Sequence, residues 1–168
     1  MKLNFKAHRS LIVRIQEDLR RPHQFAFERV GFVSCRFGVI DHGALVLAHD
    51  YHPVADEHYE VDQSVGARFG SAAIRSALEI AISKPVGIFH VHLHDHPGVP
   101  RPSSVDSREW AKFVPNFWHV RPELPHGALI LSSDRIIGRC WYPGLIRPVA
   151  MSRFTVVDSH LTFWRVAR

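Results

Sequence analysis

Alternation of apolar and polar residues is the clearest pattern along the chain, and it predicts most of the strands. Leu3, Phe5 and Ala7 alternate with polar residues, and residues 27–40 are rich in aromatic and β-branched side chains. The turn at residues 41–43 separates this second run from an apolar return segment, which indicates a hairpin. The predicted strands cover residues 3–7, 27–40, 44–54, 128–131, 136–141 and 154–166, with one more that begins at Val86.

Three segments show apolar residues at a helical spacing instead, at residues 10–20, 64–83 and 104–113. The second segment ends at Lys84, because the residue before a proline avoids the helical region. Helices and strands are mixed without a regular strand–helix–strand repeat, so we expect an α+β fold, or an α/β fold with a mixed sheet. A chain of 168 residues can bury a substantial core, and we assign residues 1–168 to one domain.

The composition indicates a globular protein, with 46% hydrophobic and 22% charged residues. The formal net charge of +5 favours a partner with an acidic surface or a nucleic acid. The positive residues are scattered, however, and aromatic residues beside arginines, as in residues 118–121, serve equally well in a core. Nucleic-acid binding is therefore the weaker interpretation of the charge.

The two cysteines, Cys35 and Cys140, form no C-x-x-C pair and no disulfide framework, which is typical of a reducing compartment. The first ten residues lack the apolar stretch of a signal peptide, and no run of residues is apolar enough to span a membrane. We expect a cytoplasmic protein without a membrane anchor.

Four alternating histidines carry the candidate chemistry: His90, His92, His94 and His96. On a strand, side chains two residues apart point to the same face, so any adjacent pair could hold one metal ion. Ser103-x-x-Asp106 opens the following predicted helix and could supply a carboxylate ligand. Two His and one Asp leave the fourth tetrahedral position of a zinc ion open, as catalysis requires.

Two further residues have candidate roles in hydrolysis. Glu28 begins the strand predicted at residues 27–40, where partial burial would raise its pKa and suit it to general acid/base catalysis. Ser103 could donate a hydrogen bond to a developing oxyanion. Each has a structural alternative: Ser103-x-x-Asp106 also fits a helix capping box, and a single Glu before a strand is often a surface carboxylate. Some of the histidines could likewise orient ligands rather than bind the metal.

These residues together resemble the signature of the JAMM (JAB/MPN) metalloproteases. The resemblance consists of Glu28-x-x-Gly31, Gly87-x-x-His90-x-His92 and Ser103-x-x-Asp106, and it covers residues 3–131. It implies an α+β fold around a curved mixed sheet flanked by helices, one catalytic Zn²⁺, and hydrolysis of isopeptide or peptide bonds. It also implies that Glu28 is the general acid/base, Asp106 a metal ligand, and Ser103 an aid to the oxyanion.

The sequence does not decide which pair of histidines would bind zinc. The family usually places seven residues between its second His and the Ser; here ten follow His92, eight follow His94 and six follow His96. We favour His90 and His92, because Gly87-Ile-Phe-His90 matches the glycine and aromatic residue that precede the first ligand. Loops also absorb insertions more easily than deletions. The alternative pair is His94 and His96, in the string H-x-H-P-G.

Short members of the family with an H-x-H-x-H run resemble the deconjugating peptidases of bacterial ubiquitin-like conjugation operons, which often act in antiphage defence. This resemblance implies a deubiquitinase-like isopeptidase whose partners are a ubiquitin-like protein and its conjugates, together with activating and conjugating enzymes of the same operon. Two alternatives are a peptidase that trims a sulfur-carrier-like protein, and a catalytically silent MPN-type scaffold.

Overall fold

The computed structural model describes residues 1–24, 26–62 and 64–158, and the backbone of residues 162–164. The strands in this part of the chain are β1 Lys2–His8, β2 Val30–Ile40, β3 Gly43–Pro53, β4 Gly87–Leu93, β5 His126–Leu131, β6 Ile136–Trp141, β7 Val149–Ala150, β8 Arg153–Val157 and β9 Thr162–Trp164. The α-helices are α1 Arg9–Leu19, α2 Ser71–Ser83 and α3 Ser104–Phe113, and short 3-10 helices cover Asp56–His58 and Val114–His119.

All of these strands belong to one mixed sheet, in the order β7-β6-β5-β4-β2-β3-β1-β8-β9. Strand β1 is parallel to β3 and β8, and β4 is parallel to β5, whereas the other pairs are antiparallel. This arrangement confirms the predicted α+β class with a mixed sheet. Strand β4, which carries the first histidines, lies in the middle of the sheet between β2 and β5.

The sheet has an apolar layer on each face. On one face, α1 buries the stripe Leu11, Ile12, Ile15 and Leu19, as its spacing suggests, in the same core cluster as Phe89 of β4. On the other face, α2 packs through small side chains one turn apart, at Ala73, Ala77 and Ala81, and α3 packs through Trp110. The helices of this second face lie over the histidine side of β4.

The helix predicted at residues 64–83 is wrong in its first part, because α2 begins at Ser71. The stretch before it uses its backbone for other contacts: Gly66 O accepts hydrogen bonds from the N–H groups of Phe27 and Glu28, at 2.8 and 2.9 Å. Arg68 O likewise accepts from the N–H of Glu60, at 2.9 Å. Glycine is also a poor helix former. The chain around Gly66 therefore makes these tertiary hydrogen bonds instead of the helix that the apolar spacing predicted.

The other predicted elements agree more closely with the structure. Helix α3 covers the predicted residues 104–113, and the two predicted hairpins are formed by β2–β3 and β5–β6. The single strand predicted at residues 154–166 is instead two antiparallel strands, β8 and β9, and residues 159–161 and 165–166 lie outside the described residues. Both cysteines are buried free thiols. Within the described residues, no helix is long and apolar enough to cross a membrane.

Candidate metal centre

Strand pairing brings Glu28 towards the histidines of β4. In the antiparallel pairing of β2 with β4, Val30 lies opposite His92. Continued by two residues, this register sets Glu28 opposite His94. Although β4 ends at Leu93, the backbone N–H of His94 donates to Leu131 O at 2.8 Å. The chain therefore keeps its direction for one residue beyond the strand.

The imidazoles of His92 and His94 face each other. Their Nε2 atoms are 3.1 Å apart, and the His92 side chain is almost fully buried whereas His94 is half-buried. The loop that follows is tied to the β5–β6 turn, because Ser133 N–H donates to His96 O at 3.1 Å and Gly98 N–H donates to the Asp134 carboxylate at 2.7 Å. These bonds fix the chain immediately after His94.

Helix α3 supplies Asp106 to the same place. Its Oδ1 is 3.5 Å from Nε2 of His92, while its Oδ2 accepts the backbone N–H of Ser103 at 2.7 Å. Ser103 Oγ in turn accepts the backbone N–H of Asp106 at 3.0 Å, which completes a capping box. The capping interpretation and the ligand interpretation are therefore compatible, because one carboxylate oxygen caps the helix and the other faces His92.

Glu28 completes the group from the segment before β2. Glu28, His92 and His94 each offer one ligand atom, and these atoms all lie within 4.8 Å of one another. Burial raises the pKa of Glu28, and the nearby Asp106 carboxylate raises it further. A Cβ atom added to Gly66 would lie 2.7 Å from Cδ and from Oε2 of Glu28. The carboxyl group of Glu28 thus rests against a position where a side chain does not fit.

A buried arginine anchors the segment that carries Glu28. The Arg29 side chain is 4% exposed and forms an ion pair with Asp56, at 2.6 Å. Its guanidinium also donates to the backbone carbonyls of Arg21 and Pro22, each at 2.9 Å. This cation ties Arg21 and Pro22 to the residue next to Glu28, which limits the positions that Glu28 can take.

The histidines of the group are held neutral. Burial lowers the pKa of His92 to about 4, although the Asp106 carboxylate acts in the opposite direction. Burial also lowers the pKa of His94. A neutral imidazole keeps a lone pair on one ring nitrogen, and this is the form that binds a metal ion.

The outer two histidines have other environments. His90 is buried, its Nδ1 accepts the indole N–H of Trp110 at 3.3 Å, and its Nε2 has no hydrogen-bond partner among the described residues. His96 is exposed, with its Nδ1 2.8 Å from the carbonyl oxygen of Pro97. The favoured pair His90/His92 and the alternative pair His94/His96 therefore each place one member in the group with Glu28 and Asp106.

The spacing of the group suits one metal ion. Two ligand atoms about 2.0–2.2 Å from a tetrahedral ion are about 3.3–3.6 Å apart. The corresponding distances here are 3.1 Å between His92 Nε2 and His94 Nε2, and 3.5 Å between His92 Nε2 and Asp106 Oδ1. Glu28, His92 and His94 could thus hold a metal ion, and Asp106 lies beside His92.

Spacing in the sequence does not distinguish His94 from His96, because each differs by one residue from the usual distance to the serine in the JAMM signature that the sequence resembles. The position of His94 follows from the structure instead, because β4 ends at Leu93 and β5 still binds the backbone of the next residue. No protein-family model matches the sequence, and no curated protein matches it either.

Proposed function

We propose that this protein is a zinc-dependent isopeptidase or peptidase of the JAMM type, which hydrolyses the bond after the C-terminus of a ubiquitin-like modifier. The main support for the proposal is the convergence of Glu28, His92, His94 and Asp106 from three segments of the chain, namely the stretch before β2, the end of β4 and helix α3. Two neutral imidazoles, one carboxylate and a second carboxyl group with a raised pKa are the components that metal-assisted hydrolysis needs.

In this proposal His92, His94 and Asp106 bind the zinc. A zinc ion bound there would act as a Lewis acid and make hydroxide available near neutral pH. The fourth member, Glu28, is free to carry protons, because its raised pKa lets it accept one from water and return it to the leaving amine.

We propose that Ser103 acts on the substrate while it caps α3. Its Oγ already accepts one hydrogen bond, from the Asp106 backbone, and a hydroxyl group can donate one bond as well. The Ser103 side chain is exposed at the start of the helix, so its O–H can turn towards a developing oxyanion.

The sheet constrains how a substrate approaches. Strand β4 is hydrogen-bonded on both sides, to β2 and to β5, so the tail of a modifier cannot add to β4 as a further strand. We propose that the tail lies across the segment that carries Phe27 and Glu28. Phe27 is 76% exposed there and offers an apolar contact next to the general acid/base.

We propose that the partners of this protein are a ubiquitin-like protein, its conjugates, and the activating and conjugating enzymes of a shared operon. Trimming of a sulfur-carrier-like protein would use the same chemistry on another substrate, whereas a silent scaffold would leave Glu28 without a role. Binding of nucleic acid is less favoured, because the Arg121 side chain is already committed to the carbonyls of Ala81 and Ile82, at 2.7 and 2.9 Å.

Substitution of Glu28 by Gln tests the mechanism. The variant should retain one zinc ion per chain by mass spectrometry, because the ligands are intact. Cleavage of a panel of ubiquitin-like proteins, each extended by a C-terminal peptide, should fall by about 100- to 10,000-fold, because the proton carrier is lost. Glu17→Gln, the same chemical change at an exposed carboxylate of α1 on the other face of the sheet, is the control and should cleave at the wild-type rate. Cleavage by Glu28→Gln at the wild-type rate would contradict the proposal.

A further inference from the structure

We propose that His90 is a positioning residue, which sets the distance between Asp106 and His92 by anchoring Trp110 of α3. This inference rests on the metal site of the proposed function and extends it. It assigns a role to a buried histidine that lies beside the ligands but outside their group.

Two contacts of similar length connect α3 to β4. Asp106 Oδ1 is 3.5 Å from His92 Nε2, and Trp110 Nε1 is 3.3 Å from His90 Nδ1. Asp106 and Trp110 are four residues apart and lie on one face of the helix, while His90 and His92 are two apart and lie on one face of the strand. A shift of the helix that changes one contact therefore changes the other.

The hydrogen bond to Trp110 also determines the state of the His90 ring. An indole N–H can only donate, so Nδ1 of His90 must be the acceptor and the ring proton must lie on Nε2. Neither nitrogen then presents a lone pair to a metal ion. Trp110 is 2% exposed, so its N–H has no access to water that could replace His90.

Aromatic residues hold His90 in place on its remaining sides. Its ring stacks on that of Phe69, with the ring centroids 5.7 Å apart. It meets the rings of Phe113 and Phe32 in edge-to-face contacts, with centroid distances of 5.3 and 5.9 Å. Phe69 belongs to the segment that also carries Gly66, against which Glu28 rests. His90 thus contacts both the helix that supplies Asp106 and the segment that supports Glu28.

Three single variants separate a positioning role from a ligand role. His90→Asn keeps an acceptor near the position of Nδ1 but cannot bind a metal through Nε2. His90→Phe fills the space without an acceptor, and Trp110→Phe removes the donor. The affinity for Zn²⁺ would be measured by competition with a chromogenic chelator, and the visible absorption spectrum of the Co²⁺-substituted protein would report the coordination geometry.

We expect His90→Asn to bind Zn²⁺ within about 3-fold of wild type and to keep its Co²⁺ spectrum, since the hydrogen bond to Trp110 survives. His90→Phe and Trp110→Phe should each weaken Zn²⁺ binding by about 10- to 100-fold, the range for loss of a residue that orients ligands, and should alter the spectrum. The double variant His90→Phe/Trp110→Phe should bind no more weakly than the single variants, because both remove one bond.

Two results would overturn the inference. Loss of metal in His90→Asn as well as in His90→Phe would show that His90 is a ligand. Wild-type Zn²⁺ affinity and a wild-type Co²⁺ spectrum in Trp110→Phe would show that His90 has no positioning role. Trp110→Phe keeps an aromatic ring and carries the test if His90→Phe does not fold. A wild-type protein that binds no Zn²⁺ would instead overturn the proposed function itself, whatever the variants do.

Discussion

The two faces of β4 are equally buried but chemically different. Towards α1 the strand presents Phe89, Val91 and Leu93, which belong to a continuous apolar core. Towards α2 and α3 it presents Ile88, His90 and His92, so that the apolar layer is interrupted by two imidazoles. Burial of a polar ring is costly without a partner. The second face therefore contributes less to core stability than the first, and it is the face that carries the proposed metal site.

A second contrast lies within that face. His90 and His92 share one strand, one side and nearly the same burial, yet His90 meets the indole of Trp110 and His92 meets the carboxylate of Asp106. The covering helix, rather than the strand, distinguishes a supporting histidine from a candidate ligand. A spacing of two residues predicts a shared face but cannot predict the partner.

Truncation on the apolar face should cost stability without affecting the metal site. Phe89 is fully buried and packs beside Phe5 and Phe37, at ring distances of 6.3 and 6.2 Å. Phe89→Ala should lower the free energy of unfolding by about 3–5 kcal/mol, measured by urea denaturation, while the folded fraction keeps its zinc. Phe27→Ala, at a position 76% exposed, should change the stability by less than about 0.5 kcal/mol. Equal effects of the two variants would contradict this picture of the core.

Truncation at the histidine-bearing face should weaken metal binding and leave the stability almost unchanged. His94→Ala should weaken Zn²⁺ binding by more than about 100-fold, beyond the usual effect of losing an outer partner, and change stability little, because His94 is half-buried. His96→Ala is the matched control two residues further on, and it should keep the metal because His96 is exposed and turned to its own loop. Metal retained in His94→Ala but lost in His96→Ala would contradict the arrangement.

A histidine away from the site should make the fold sensitive to acid. His126 accepts the N–H of Ile88 and lies 3.1 Å from Arg121 O, and burial lowers its pKa to about 4. Unfolded His has a pKa of about 6.5, so the unfolded state binds more protons between these values, and stability falls as the pH drops. His126 should contribute about 2 kcal/mol to the loss between pH 7 and pH 5. His126→Asn should lose correspondingly less over this range by urea denaturation; an unchanged pH dependence would contradict the assignment.

Gly66 offers a smaller and more selective change. A methyl group there would lie 2.7 Å from the Glu28 carboxyl, so Gly66→Ala should displace Glu28. We expect about a 10-fold loss of peptide-bond cleavage with zinc content unchanged. Gly38→Ala is a control, because a Cβ at Gly38 meets no atom within 4 Å. Equal activity of the two variants would show that the position of Glu28 does not depend on Gly66.

The sequence predicted the sheet well, whereas the pair of histidines that binds a metal ion stays a prediction. Alternation along β1 and β4 and the capping box of α3 are local patterns, and the structure contains each of them. The helix predicted through Gly66 was wrong, because the backbone carbonyl of Gly66 accepts hydrogen bonds from the N–H groups of Phe27 and Glu28, which are distant in sequence. The position of His94 beside Glu28 and His92 depends on contacts such as the hydrogen bond from His94 N–H to Leu131 O, and periodicity carries no information about such a contact.

In the proposed site, one metal ion lies between His92, His94 and Asp106, with His90 outside its coordination sphere. A crystal structure with anomalous diffraction data collected on both sides of the zinc absorption edge tests it most directly. We predict one zinc peak about 2.0–2.2 Å from Nε2 of His92, Nε2 of His94 and a carboxylate oxygen of Asp106, with the bond from Trp110 to His90 intact. A peak bonded to His90, or one bonded to His96 and not to His92, would contradict the account.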